Sequence, residues 1–423
     1  MKILWITNMS FPEAFMLLKG DKEIVSGGGW MVGGANALIQ QSGVHLTVAS
    51  VSEKVSQLTR LEGKDIIYYL LPLGKGNVKV NHDYEPYWRE VRAAVNPDIV
   101  HIHGTELSHG LAYVEACGAE NVCVSIQGLT SVYYRYYLAG LSRWEILQSV
   151  TPASLYKGTI LRGAKGFKER GEFEKEILRR VKHIIGRTSW DKAHAWAINP
   201  DATYHYGGEI LRSDFYTGRT WTYENCKPHS IFVSQAIYPI KGLHKLLEAM
   251  PLVLRHYPDA TIRVARVDIT RSKSWKERIK FSDYGNIIRK MIKNYHLQDC
   301  ISFTGVLDGD GMRREYLQSN VFVCPSSIEN SPNSLAEAQI LGVPIIASYE
   351  GGVMDMMKGD ENHLYRFEET EMLAQKIVQL FDHGENVDTE AMRQEALRRH
   401  NPDSIVRDLL QTYDEIIKQN NQK

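Results

Sequence analysis

Cysteine is scarce in this sequence, and what there is does not pair. The 423 residues hold five cysteines, at positions 117, 123, 226, 300 and 324, an odd number with no CxxC spacing. Zinc sites and disulfide frameworks both need paired spacings, so the thiols read as reduced, as expected in the cytosol. Long apolar runs are missing too, and nothing approaches the ~20 residues of a membrane-spanning helix. The opening Met1-Lys2-Ile3-Leu4-Trp5-Ile6-Thr7-Asn8 is too short an apolar run for a secretory leader. It is expected to be a first strand, and the chain to stay in the cytoplasm. Charge of one sign is lacking: 50 Lys plus Arg balance 50 Asp plus Glu. A nucleic-acid partner, which favours a basic domain, is therefore not expected. There is no Gly-x-Ser-x-Gly elbow, no Walker A loop and no His-Glu-x-x-His, which removes the chemistries those motifs carry.

What is present is an ordinary folding composition, 43% apolar and 24% charged. The length exceeds what one hydrophobic core normally supports, so two domains are expected. Short apolar runs alternate with segments of helical period. Strands are expected at Lys2–Thr7, Val44–Ser50, Ile66–Leu71, Asp98–Ile102 and Val122–Ile126 in the first half. In the second they are expected at Ser230–Ser234, Ala260–Ala265, Ile301–Phe303, Val321–Cys324 and Val343–Ala347. Between them, Leu243, Leu246, Leu247, Met250, Val253 and Leu254 fall on one face of a helix. Such alternation predicts an α/β fold with parallel sheets covered by helices. The pattern lapses between Ser213 and His229 and then restarts. The expected division is a first domain over 1–215, a linker over 216–228, a second domain over 229–400, and a final helix over 401–423 that packs back on the first domain. Open α/β sheets bind ligands at the carboxyl ends of their strands, so two such domains facing each other would enclose a cleft.

The most informative stretch is Cys324-Pro325-Ser326-Ser327-Ile328-Glu329-Asn330-Ser331-Pro332-Asn333-Ser334-Leu335-Ala336-Glu337-Ala338. It leaves a strand and opens a helix, with Ser331 as the expected cap and Pro332 at the first helical position. The N–H groups around Asn333, Ser334 and Leu335 then have no partner inside the helix, which suits them to a diphosphate. Glu329 and Glu337 are separated by up to roughly 12 Å along a helical rise. They are too far apart for a close catalytic dyad, yet well spaced to hold the two ends of a long ligand.

This string resembles the Glu-x7-Glu motif of the family 4 retaining glycosyltransferases (glycosyl transferases group 1). These have the GT-B fold of two Rossmann-like domains. The resemblance continues through Gly342-Val343-Pro344 to Gly351-Gly352 and implies that Glu329 holds the transferred sugar and Glu337 the donor ribose. Ser234-Gln235-Ala236-Ile237-Tyr238-Pro239-Ile240-Lys241-Gly242 is similar to the family's phosphate-binding segment. Lys241 matches the family lysine, while Gln235 stands where the family has Arg. Arg266, Arg271 and Arg187 are the candidates to replace that cation. In the first half, Gly28 and Gly29 fall in a glycine run like the family's donor-side loop, and His103 ends an Asp-x-x-His-x-His string. Gln127 occupies the next strand end, where relatives often carry His.

The resemblance implies a retaining, metal-independent hexosyltransferase that uses a UDP- or GDP-sugar as co-substrate and no cofactor. Its expected catalytic residues are Glu329, Lys241 and His103. Gly28, Gly29, Gln235, Lys241, Asn333, Ser334, Leu335 and Glu337 are expected to bind the donor, with no metal ligand. The acceptor is expected to be a glycan or lipid-linked molecule, in polysaccharide or glycoconjugate biosynthesis. Two other readings stand beside it: a nucleotide-sugar epimerase of the same fold, and an inactive sugar-nucleotide-binding protein. Asp308-Gly309-Asp310 superficially matches the metal site of the other major glycosyltransferase fold, but its glycine-rich setting reads as a loop and helix cap. Nine basic residues over 157–182, with Tyr133, Tyr134, Tyr136, Tyr137 and Trp144 upstream, suggest peripheral contact with an anionic membrane face.

Overall fold

A computed structural model of the chain describes residues 1–19, 29–73, 82–270, 282–384 and 387–421. Fourteen strands are defined in chain order among them. In the first half these are β1 (Lys2–Thr7), β2 (His45–Ser52), β3 (Thr59–Glu62), β4 (Ile66–Pro72), β5 (Ile99–His103), β6 (Val122–Ser125), β7 (His183–Gly186) and β8 (Thr203–Tyr206). The second half has β9 (Ser230–Val233), β10 (Thr261–Val264), β11 (Ile301–Phe303), β12 (Val321–Cys324), β13 (Ile345–Ser348) and β14 (Leu364–Tyr365). They form two sheets, ordered β3-β4-β2-β1-β5-β6-β7-β8 and β11-β10-β9-β12-β13-β14. All pairings are parallel except β3 with β4. Central strands such as β1, β5, β9 and β12 are almost wholly buried, which is why they read as continuous apolar runs. Both halves are therefore Rossmann-like α/β domains.

The chain divides into two compact units. One comprises Met1–Val132, Gly166–Leu211 and His400–Lys423, the other Tyr133–Lys165 and Arg212–Arg399. Each has its own core. Leu4, Ile6, Val100, Ile102, Val124 and Ile184 lie in the first, and Leu246, Leu247, Met250, Ile262, Val323 and Ile346 in the second.

The segment 133–165 belongs to the second unit, although its place in the chain put it in the expected first domain. Long-range bonds explain the assignment. The Ile160 N–H bonds the Asp283 carboxylate at 2.6 Å, His244 Nε2 bonds the Ala139 carbonyl at 2.8 Å, and Leu141, Ile146 and Ile160 join the second core.

Within the first unit, the final helix Pro402–Asn421 is pinned by Tyr413. Trp5 Nε1–H donates to the Tyr413 hydroxyl at 3.0 Å, and that hydroxyl lies 2.6 Å from His101 Nδ1. The indole can only donate, so the phenol accepts from it and keeps its own O–H to share with Nδ1. His101 Nε2, on the other side of the ring, is directed at Ser125 Oγ. Burial lowers the pKa of His101 to about 3, so the ring stays neutral.

Candidate active site

In the second unit the site is assembled by two turns pressed together at the ends of β9 and β12. Pro239–Lys241 is a single 3-10 turn, closed by Gly242 in the left-handed conformation at φ 69°. A side chain at 242 would place its Cβ 1.6 Å from the Pro325 carbonyl, so only glycine lets the two turns meet. The Ser327 N–H then bonds the Ile240 carbonyl at 2.8 Å. This close approach brings Lys241 to Glu329. Lys241 Nζ sits 2.5 Å from Glu329 Oε1, and Ser326 Oγ donates to the same oxygen at 2.7 Å. Both side chains are largely buried. Burial opposes the Lys241 charge, but Glu329 and the nearby Tyr238 outweigh it and hold the ammonium above its ordinary pKa. The backbone of Glu329 is fixed from the other side, where its carbonyl accepts the Gly352 N–H at 2.9 Å.

The helix Asn333–Leu341 starts one residue later than expected, with Pro332 in the capping position and no side-chain cap. The Leu335 N–H, expected to be free, bonds the Pro332 carbonyl at 3.0 Å. The Asn333 and Ser334 N–H groups are left, and the helix itself offers them no acceptor. One turn on, Glu337 is buried and gripped by a residue the sequence reading did not single out. Arg212 Nε and Nη2 donate to Glu337 Oε1 at 3.0 and 2.6 Å, while its guanidinium lies over the Phe215 ring. Burial raises the Glu337 carboxyl above the usual range and Arg212 pulls it partly back. Tyr316, whose hydroxyl bonds the Ser334 carbonyl at 2.8 Å, closes the other side. No local pattern marks Arg212 or Tyr316, because their roles come from tertiary packing alone.

Gln235 lies partly exposed just beyond β9. Asp308 caps the helix Gly309–Gln318, accepting the Gly311 N–H at 2.8 Å, as its setting predicted.

The remaining expected site residues belong to the first unit. Gly29 is the first residue of the helix Gly29–Ile39, and Gly28 lies outside the described residues. His103, at the carboxyl end of β5, is buried and stacks on His101 at 3.8 Å, with the Trp5 and Trp30 rings 4.3 and 5.9 Å away. Neither of its ring nitrogens has a hydrogen-bond partner among the described residues. Burial, then His101 and Arg187, push its pKa well below the ordinary value, so the imidazole is neutral. It lines a cavity of about 50 Å³ together with Trp30, Gln127, Arg187, Glu209 and Leu409. Arg187 forms a buried ion pair with Glu209, and its Nη2 donates to the Ile126 and Gln127 carbonyls at 2.8 and 3.0 Å. Arg187 is thus committed within its own unit. Arg271, another candidate cation, lies outside the described residues.

Two Rossmann-like α/β units, one with an uncapped helix start flanked by buried carboxylates, define the GT-B class. Solved structures agree along the whole chain. Sucrose-phosphate synthase from Thermosynechococcus elongatus superposes with a TM-score of 0.72 at 16% identity, covering 99% of this chain and 100% of that one. HepE of Anabaena, in complex with UDP-glucose, gives 0.63 at 13% identity, covering 98% and 99%. In sequence, residues 227–383 match the family described as Glycosyl transferases group 1. The protein YtcC of Bacillus subtilis (strain 168), named among glycosyltransferases, is 24% identical over 324 residues, 74% of this chain and 68% of its own length. The chain has the GT-B fold, and its residues 227–383 are similar to the group 1 glycosyltransferases.

Proposed function

We propose that this protein transfers a hexosyl group from a UDP- or GDP-sugar to a glycan or lipid-linked acceptor, with retention at the anomeric carbon and without a metal. One observation carries the reading. A charged, largely buried Lys241 is fixed beside Glu329, four residues ahead of a helix whose Asn333 and Ser334 N–H groups have no acceptor among the described residues. The diphosphate is placed at Lys241 and the Asn333 and Ser334 N–H groups, the transferred sugar at Glu329 and the ribose at Glu337. Leu335, with its N–H already bonded, is left to shape the turn. The glycosidic C–O bond to the diphosphate breaks, and the leaving oxygen takes the acceptor hydroxyl's proton as that hydroxyl attacks the same face. Positive potential already in place where this charge develops is the catalytic requirement. His103, neutral and with neither ring nitrogen partnered among the described residues, is assigned a hydrogen bond to a substrate hydroxyl. HepE in its UDP-glucose complex has the same fold, which supports a UDP-sugar as the first donor to test.

The acceptor side is proposed to include a membrane surface. Trp144 and Tyr156 are 68% and 87% exposed, with Leu147 and Leu155 also outward and Arg143, Lys157 and Arg162 beside them in sequence. Further along the basic segment, Lys175, Arg179 and Arg180 pair with Glu172 and Glu176, which moves the expected contact toward 143–162.

The test is incubation with UDP-sugars and GDP-mannose in EDTA. Slow donor hydrolysis supports transfer chemistry. An epimerised donor, or a donor bound but unchanged, contradicts it, as does activity that appears only when manganese is restored.

A further inference from the structure

The segment matching the family's phosphate-binding stretch lacks its arginine, because position 235 is glutamine. The sheet shows where a substitute can come from. β9 and β10 are parallel neighbours, with Val233 in register with Val264. Gln235 and Arg266 each lie two residues further on, past the carboxyl ends of adjacent strands, and adjacent strands run ~4.8 Å apart. Gln235 and Arg266 therefore leave the ends of neighbouring strands, each two residues past the last in-register pair.

Its backbone is unusual. Arg266 has φ 83°, in the left-handed region that side chains with a Cβ avoid. The fold holds it there by a two-bond bridge: the Arg266 N–H donates to the Gly305 carbonyl at 2.8 Å, and the Gly305 N–H returns to the Arg266 carbonyl at 3.2 Å. Glycine would take this conformation freely, so a bulky cation kept here is strain that packing alone does not reward. The side chain is only partly buried, and among the described residues its guanidinium has no hydrogen bond or ion pair. The other cations of the site are occupied: Lys241 by Glu329, and Arg212 by Glu337.

We propose that Arg266 is the missing phosphate-binding cation, delivered from the neighbouring strand in place of an arginine at 235. This rests on the reading of the second unit as the donor domain. It moves the positive charge one strand along the sheet without removing it from the site. A cation with no acidic partner among the described residues, just past the end of the strand that neighbours β9, is available to the donor diphosphate and to the charge that develops when it leaves.

The test separates charge from strain. UDP, GDP, uridine and guanosine are titrated into the wild-type protein and into Arg266→Gly. The glycine variant is expected to melt at a higher temperature, because the strained φ is relieved. It should bind the nucleoside diphosphate about 10- to 100-fold more weakly, the loss of one hydrogen bond to a charged group, with nucleoside affinity unchanged. Adding Gln235→Arg to that variant should return diphosphate affinity to within a few-fold of wild type. Undiminished diphosphate binding by Arg266→Gly overturns the proposal, and so does equal weakening of diphosphate and nucleoside. A wild-type protein that binds neither UDP nor GDP overturns the donor-domain reading beneath it, which keeps the two failures distinct.

Discussion

Lys241 Nζ lies 2.5 Å from Glu329 Oε1, and the two residues are 88 positions apart in the chain. The pair joins the group assigned to the diphosphate to the group assigned to the sugar. In a nucleotide sugar those two parts are directly bonded, so neighbouring protein groups suit them. The pair also sets protonation. An isolated lysine at this depth would tend to lose its proton, whereas beside Glu329 it keeps its charge.

Lys241→Ala is therefore expected to reduce kcat on the order of 10²- to 10³-fold, the usual effect of removing one preorganised donor from developing charge. It should also destabilise the fold, because truncating one partner of a buried pair leaves the other uncompensated, at a cost of about 3–5 kcal/mol. Turnover and thermal melting measured on the same preparation check both effects.

Arg212 gives a pH prediction. Burial raises the Glu337 carboxyl and Arg212 opposes that rise. In Arg212→Met the opposition is gone, the carboxyl rises further, and more of it is protonated at a given pH. Nucleotide affinity of the variant should fall more steeply than wild type as pH drops from about 8 to about 5.5, the range above the ordinary Glu value. Titration calorimetry with UDP at several pH values reads this directly. Parallel pH curves for the two proteins would show that Arg212 does not tune Glu337.

Glu350 bears on stability. Burial, and then repulsion from Glu368, push its carboxyl up to about 7, with Arg366 opposing. In the unfolded chain the same group titrates near ~4.3. Between those values the unfolded state releases its proton first, so stability falls as pH rises, and the full penalty is present above the folded value. Glu350→Gln should flatten the decline in Tm over that window, and an unchanged slope would contradict this account.

The membrane proposal predicts that the protein co-sediments with anionic vesicles at low salt. Trp144→Ala combined with Tyr156→Ala should release it while leaving donor hydrolysis intact. Failure of the wild-type protein to bind such vesicles removes the proposal.

The fold was legible in the sequence wherever strands are buried on both faces. β9, β12 and β13 are short runs dominated by apolar residues, and β1 and β5 carry apolar residues at most of their positions. β3 and β8 are edge strands with no fully buried residue, Thr59-Arg60-Leu61-Glu62 and Thr203-Tyr204-His205-Tyr206, so neither reads as an apolar run. β7 holds only Ile184-Ile185 between a histidine and a glycine, so no apolar run marks it. Lys241, Glu329 and Glu337 were visible because a loop, a helix start and a glycine must recur at fixed spacing for the turns to meet. Arg212 was not, since a residue 125 positions from its partner leaves no local trace. The same limit hid the membership of 133–165 in the second unit, which depends on bonds such as that from Ile160 to Asp283.

One helix start and its two carboxylates are proposed to hold a nucleotide sugar by its separate ends. The most direct measurement is calorimetric affinity for a UDP-sugar and for free UDP, in wild type, Glu329→Ala and Glu337→Gln, with the GDP pair substituted if that is the donor bound. Glu337→Gln should weaken both ligands about 10- to 100-fold, the loss of a hydrogen bond to a charged group. Glu329→Ala should weaken the nucleotide sugar while leaving the free nucleotide bound as tightly as before. Equal weakening of free nucleotide by the two variants would contradict the division of the site into a sugar end and a ribose end.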